Sequence, residues 1–194
     1  MLYRIVFAWK PNWDLSVVTD GSNDRLIKHA LLLLFTALSA GSVFAAADHC
    51  ALEEQTVFSC DIKGSSRVLS ICASKRLSKN EGYIQYRFGT PGKIELEYPD
   101  SREGSQSKFT YLHYFRANVD RTEVGFKKGQ HEYSVFSDYE GDIKPLVNEK
   151  GVLISDFTTG KEKKILCKGK ILNHLSALAT VVPCAEEDSS GECQ

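Results

Sequence analysis

This sequence predicts an all-β fold: an antiparallel sandwich or barrel of about eight to nine strands, with one short C-terminal helix, stabilised by disulfides. Three observations carry that reading. Nine short runs rich in β-branched and aromatic residues follow one another, separated by Gly, Pro, Asn and Asp. No long amphipathic helical pattern lies between them, which argues against a parallel α/β arrangement. The chain also carries 6 Cys, an even number, behind a segment that reads as an export signal.

The strand runs are 56–62, 68–74, 83–88, 93–98, 108–116, 122–127, 132–136, 152–157 and 163–168. Period-two alternation is clear where Ile94, Leu96 and Tyr98 share one face and Glu95 and Glu97 the other. Phe109, Tyr111, His113 and Phe115 alternate with Lys108, Thr110, Leu112, Tyr114 and Arg116 in the same way. Between them, Gly89-Thr90-Pro91-Gly92 has turn chemistry, since Pro sets φ and Gly accepts a positive one. Lys127-Lys128-Gly129-Gln130 is short enough for a hairpin, while 100–107 and 140–150 read as polar loops. The helix is expected from Ile171, Leu172, Leu175, Leu178 and Ala179, which recur at helical spacing after Gly169 and stop before Pro183.

The chain of 194 residues is organised in four parts on this reading. Arg25, Lys28 and His29 precede an uncharged run, 30–47, centred on Leu31 to Phe35 and ending Ala45-Ala46-Ala47. A basic start, an apolar centre and an Ala-x-Ala end make 25–47 a signal peptide, cut after Ala47, rather than a membrane anchor. Residues 1–24 stand in front of it as an extension preceding the true translation start. The mature part, 48–184, is one β-rich domain by length, followed by an acidic, disordered tail, 185–194. The protein is thus expected in the periplasm or secreted, with no stable membrane insertion once the signal is removed.

Composition excludes some partners. The 24 basic and 25 acidic side chains give a net charge of −1, so nothing draws the chain to nucleic acid. Cys50, Cys60, Cys72, Cys167, Cys184 and Cys193 all follow the cut, and no C-x-x-C pair suggests a metal site. Six cysteines allow fifteen pairings; the one with a local argument is Cys60 with Cys72, across a hairpin turning at 63–67.

Motifs for catalysis are absent: the chain has no H-E-x-x-H, G-x-S-x-G or phosphate-binding Gly loop. No cofactor and no metal are expected. His113 reads as a half-buried, hydrogen-bonded strand residue, His131 as a turn residue, and His174 as exposed. Asp138, Glu140 and Asp142 around Gly141 read as a solvated loop in preference to a calcium site. What stands out is an excess of Tyr beside Arg. Tyr86, Arg87, Tyr114 and Arg116 are therefore the candidate binding residues, because Tyr and Arg anchor interfaces more than other residues do.

The segments Thr56-Val57-Phe58-Ser59-Cys60, Ser70-Ile71-Cys72-Ala73-Ser74, Tyr86-Arg87-Phe88-Gly89 and Ile94-Glu95-Leu96 resemble a group of small exported bacterial proteins. The architecture and the Cys in the first strand are also similar to periplasmic lysozyme inhibitors. The Ser-Gly-x-x-Tyr segment those inhibitors use is missing here, and Gly82-Tyr83 does not supply it. The first functional expectation is a non-enzymatic binding protein for an envelope or extracellular protein or glycan. The alternatives are an envelope glycoside or peptidoglycan hydrolase using Glu95 and Glu97 or the Asp138–Asp142 loop, and a structural accessory protein with no ligand site.

Overall fold

The computed structural model describes residues 48–185. The readings made for the extension, the signal peptide, Cys193 and the acidic tail beyond Ala185 lie outside those residues. All nine expected strands form: β1 (Glu54–Ile62), β2 (Val68–Ser74), β3 (Ile84–Thr90), β4 (Lys93–Tyr98), β5 (Thr110–Arg116), β6 (Val119–Lys128), β7 (His131–Glu140), β8 (Val147–Asp156) and β9 (Glu162–Asn173). They make one antiparallel sheet in the order β4-β3-β2-β1-β9-β8-β7-β6-β5.

The sheet curls into a half-barrel, so that the β1–β4 half meets the β5–β8 half across a shared core. Phe58, Leu69, Ile71, Ile84 and Tyr86 from one half pack in one cluster with Tyr111, Val124, Phe126, Val135 and Val152 from the other. Long β9 joins the halves. Ile165 pairs with Val152 of β8, and Leu172 pairs with Ser59 of β1. Between these the register jumps, where Gly169 takes a φ of 69° that a side-chain-bearing residue rarely adopts. The edges β4 and β5 do not pair with each other. Aromatic packing spans that seam: Tyr98 of β4 stacks on Phe126 at 4.4 Å between centroids and meets Phe109 edge-on at 5.6 Å.

Strands β6, β7 and β8 run several residues beyond the expected bounds, and the polar loop expected at 140–150 shrinks to residues 141–146. The reason is physical. The far ends of β7 and β8 are half-buried or exposed on both faces, so the alternation that marks a half-buried strand fades there, while β6 gains a turn-flanking start at the buried Val119. The expected helix shortens too. Ile171 and Leu172 belong to β9, and only Leu175–Leu178 turns, as a 3-10 segment that buries Leu175 and Leu178. Three apolar residues at mixed spacing cannot nucleate an α-helix of their own, and strand pairing to β1 claims the first two positions.

The disulfides are Cys50–Cys72 and Cys60–Cys167, and Cys184 is oxidised as well. The expected Cys60–Cys72 link is therefore corrected, and strand parity explains why. Cys60 faces inward with Phe58 and Ile62 and pairs opposite Leu69. Cys72 lies between the core residues Ile71 and Ala73, so its side chain leaves on the other face of the sheet.

Candidate functional site

That outer face carries the most heavily bonded polar group in the domain. Residues 48–53 form a strap across β1, β2 and β3. His49 donates its backbone N–H to Ser70 Oγ at 3.1 Å, its Nε2 lies 3.1 Å from Gly89 O, and Cys50 is bonded to Cys72. Beneath the strap, Arg87 uses all five of its donors. Nε donates to Glu97 Oε1 at 2.7 Å, and one terminal nitrogen donates to His49 O at 2.9 Å and Glu54 Oε2 at 2.5 Å. The other donates to Glu54 Oε1 at 2.9 Å and Gln85 Oε1 at 2.8 Å.

Glu54 also accepts from Tyr83 Oη at 2.9 Å, from the Ala51 N–H at 2.7 Å, and from Arg102 at 3.3 Å. Burial alone would raise the Glu54 pKa. Hydrogen bonds from Arg87, Ala51 and Tyr83, with the Arg87 charge, outweigh it and hold the carboxyl below its ordinary value. The bidentate Arg87–Glu54 pair, with side chains 5% and 0% exposed, is a structural clamp under the strap.

The candidate binding residues accordingly separate. Tyr86 is 1% exposed and faces the core against Phe126, with centroids 4.9 Å apart. Arg87, at 4%, is spent in the clamp. Neither offers a surface to a partner in this conformation, because adjacent strand residues point to opposite faces and here both faces are covered. Tyr114 is half-buried and Arg116 exposed, both at the far end of β5. Of the four, only this pair lies together on accessible surface.

Four of the five carboxylates proposed for a hydrolase are paired with arginines, while Asp138 has no ion pair among the described residues. Glu95 pairs with Arg67 at 2.7 Å, and Glu97 with Arg87 at the same distance. Around Gly141, Glu140 is paired with Arg121 and Asp142 with Arg116. His113 donates through its Nε2–H to Asp120 Oδ1 at 3.0 Å, as a half-buried strand histidine would, and His174 is exposed. His131 is not in the turn expected for it but opens β7, 3.9 Å from Asp156.

The end of the molecule that holds Arg116 has a second property. Phe115 is 72% exposed and sits two strands from Tyr139 in one cross-strand row, both opposite Asp120. The loop from β7 to β8 adds Ile143 and Leu146, both exposed. The two tips are tied to each other. Gly141 donates its N–H to Asn118 O at 2.8 Å, Asn118 Nδ2 donates to Asp142 Oδ1 at 3.1 Å, and Arg116 bonds the other Asp142 oxygen. A side chain at Gly141 would press on the Tyr139 hydroxyl, 2.9 Å from the Cβ position, so Gly keeps that ring seated over the loop. Sequence reasoning missed Phe115, Ile143 and Leu146. The signal of Ile143 and Leu146, large apolar residues in the short segment Gly141-Asp142-Ile143-Lys144-Pro145-Leu146, is visible but is easily absorbed into a polar loop, and that of Phe115 is absorbed into strand alternation.

Comparison of the chain with protein-family models, with curated proteins and with solved structures finds no match.

Proposed function

We propose that this protein is an exported, non-enzymatic binding domain that docks a cell-envelope protein on the tip formed by β5–β6 and β7–β8. The observation that supports it is the concentration of Phe115, Tyr139, Ile143 and Leu146 at one end of the molecule, each more than 40% exposed. Apolar side chains of that size gathered on one tip mark interaction surfaces. Arg116 and Tyr114 supply the polar edge, and the Asp142 bonds pre-order the tip, which lowers the entropy lost on docking. Aliphatic Ile143 and Leu146 favour a protein over a glycan, since sugars offer few apolar faces to branched side chains.

Export through a signal cut after Ala47 accords with the oxidised cysteines. Asp48 is already tied at that point, accepting from Cys50 N and Thr56 Oγ1, so the cut leaves the strap intact. No helix among the described residues is long and apolar enough to cross a membrane.

The test is site-specific photo-crosslinking in the envelope of the producing cell. A photoreactive residue at Phe115 or Leu146 is expected to capture the same protein, and one at Phe157 to capture none. Phe157 is also well exposed, at 54% against 58% for Leu146, but lies past the opposite end of β8. Equal capture from Phe157, or tip variants that bind purified peptidoglycan and crosslink no protein, would contradict the reading.

A further inference from the structure

At the other end of the curl, between the β1–β2 turn and the start of β9, the core opens into a cavity of about 650 Å³. Its floor is apolar: Ile62, Phe88, Ile154 and Ile165 are all part of the core cluster or packed against it. Its rim is cationic. Lys63 and Lys163 line it, both exposed, and among the described residues neither has a carboxylate within ion-pair distance. The one acid on the rim, Glu95, is already neutralised by Arg67 at 2.7 Å. The rim is held in place, because the Lys63 N–H donates to Leu166 O at 2.8 Å and so fixes the turn against β9.

A volume in the range of small-ligand sites, at the mouth of a curled sheet, is where such folds bind molecules. The floor offers nothing for a polar body to bond with, while the rim offers two unneutralised ammonium groups. We propose that this mouth binds a single-chain anionic amphiphile: an alkyl chain lies on Ile62, Phe88, Ile154 and Ile165, and a carboxylate or phosphate head sits between Lys63 and Lys163. This site is separate from the tip and does not depend on the docking reading.

The experiment titrates the disulfide-intact protein with 11-(dansylamino)undecanoate below its micellar concentration and reads dansyl fluorescence. The expected result is saturable binding reversed by dodecanoate and by dodecyl phosphate, with dodecanol at least tenfold weaker as a competitor. Lys63→Glu combined with Lys163→Glu should weaken probe binding tenfold or more. Lys63→Gln with Lys163→Gln, a milder change at the same exposed positions, should weaken it less and in the same direction. Absence of saturable binding, competition by dodecanol equal to dodecanoate, or indifference to both lysine pairs would overturn the proposal. Binding to anionic vesicles without binding of the monomeric probe would overturn it as well, assigning the lysines to a membrane surface.

Discussion

Glu54 and Arg87 show how a single buried pair can govern the stability of this domain. Because Glu54 is fully covered, removing Arg87 would strand a carboxylate away from water. Arg87→Met should therefore destabilise by about 3–5 kcal/mol, whereas Glu54→Gln with Arg87→Met should recover most of that loss. Urea unfolding of the two variants beside the parent checks both. The pH dependence has a definite sign. The Glu54 pKa is lowered in the folded state, so its contribution is full above the unfolded value of about 4.3 and is lost as pH falls through the folded value. Stability measured from pH 6 downward should fall through that window, and Glu54→Gln should flatten the fall.

Asp138 has the opposite sign. Burial pushes its pKa up, against the attraction of Lys164 on β9 and Arg121 on β6, with Glu123 on β6 and Glu149 on β8 adding repulsion. Its Oδ1 is buried without a hydrogen-bond partner among the described residues. Ionised Asp138 thus costs stability, fully so above its folded pKa and not at all below the unfolded one. Asp138→Asn should raise the unfolding midpoint at pH 7 and lose that advantage at pH 3.

At the scale of elements, the two disulfides with both ends among the described residues do different work. Cys60–Cys167 closes a loop with a sequence separation of 107 and ties β1 to β9, the strand that joins the sheet's halves. Cys50–Cys72, with a separation of 22, pins only the strap. Loop-closure entropy assigns the longer loop the larger effect, about 4–5 kcal/mol against about 3 kcal/mol. Replacing each pair by Ala in turn and comparing unfolding free energies tests that order.

The paired hairpin tips form a unit of a different kind, in which exposed ion pairs order a surface without stabilising the fold. Asp142→Ala should leave the urea unfolding midpoint at the parent's value, because an exposed ion pair adds little to stability. It should nonetheless weaken capture of the partner through Phe115 severalfold, since the loop carrying Ile143 and Leu146 loses its tie to Arg116 and Asn118.

For the whole molecule, the sequence shows the architecture better than the site. All nine strands were legible, because alternation and turn residues are local and a half-buried strand must display both. Strand ends beyond the core were not, since Ser137 to Glu140 and Val147 to Lys150 are half-buried or exposed without alternation and obey no apolar pattern. Pairing across distance was equally hidden. Nothing local says that Cys60 meets Cys167 or that Glu54 meets Arg87, because the first contact needs β9, over a hundred residues on, to pair with β1, and the second needs β1 and β3 to flank β2. Residue type misled in one respect: Tyr86 and Arg87 have interface chemistry, yet burial turns one into core and the other into a clamp. Tyr114 and Arg116, of the same chemistry, stayed accessible because β5 is an edge strand, paired on one side only.

The sheet's outer face is strapped by residues 48–53, and the disulfide map reads that arrangement directly. Proteolysis of the oxidised protein without reduction, followed by mass spectrometry of the linked peptides, should recover Cys50 joined to Cys72 and Cys60 joined to Cys167. A Cys60–Cys72 peptide would contradict it, placing the two on one face of the β1–β2 hairpin and leaving Glu54 and Arg87 without their cover.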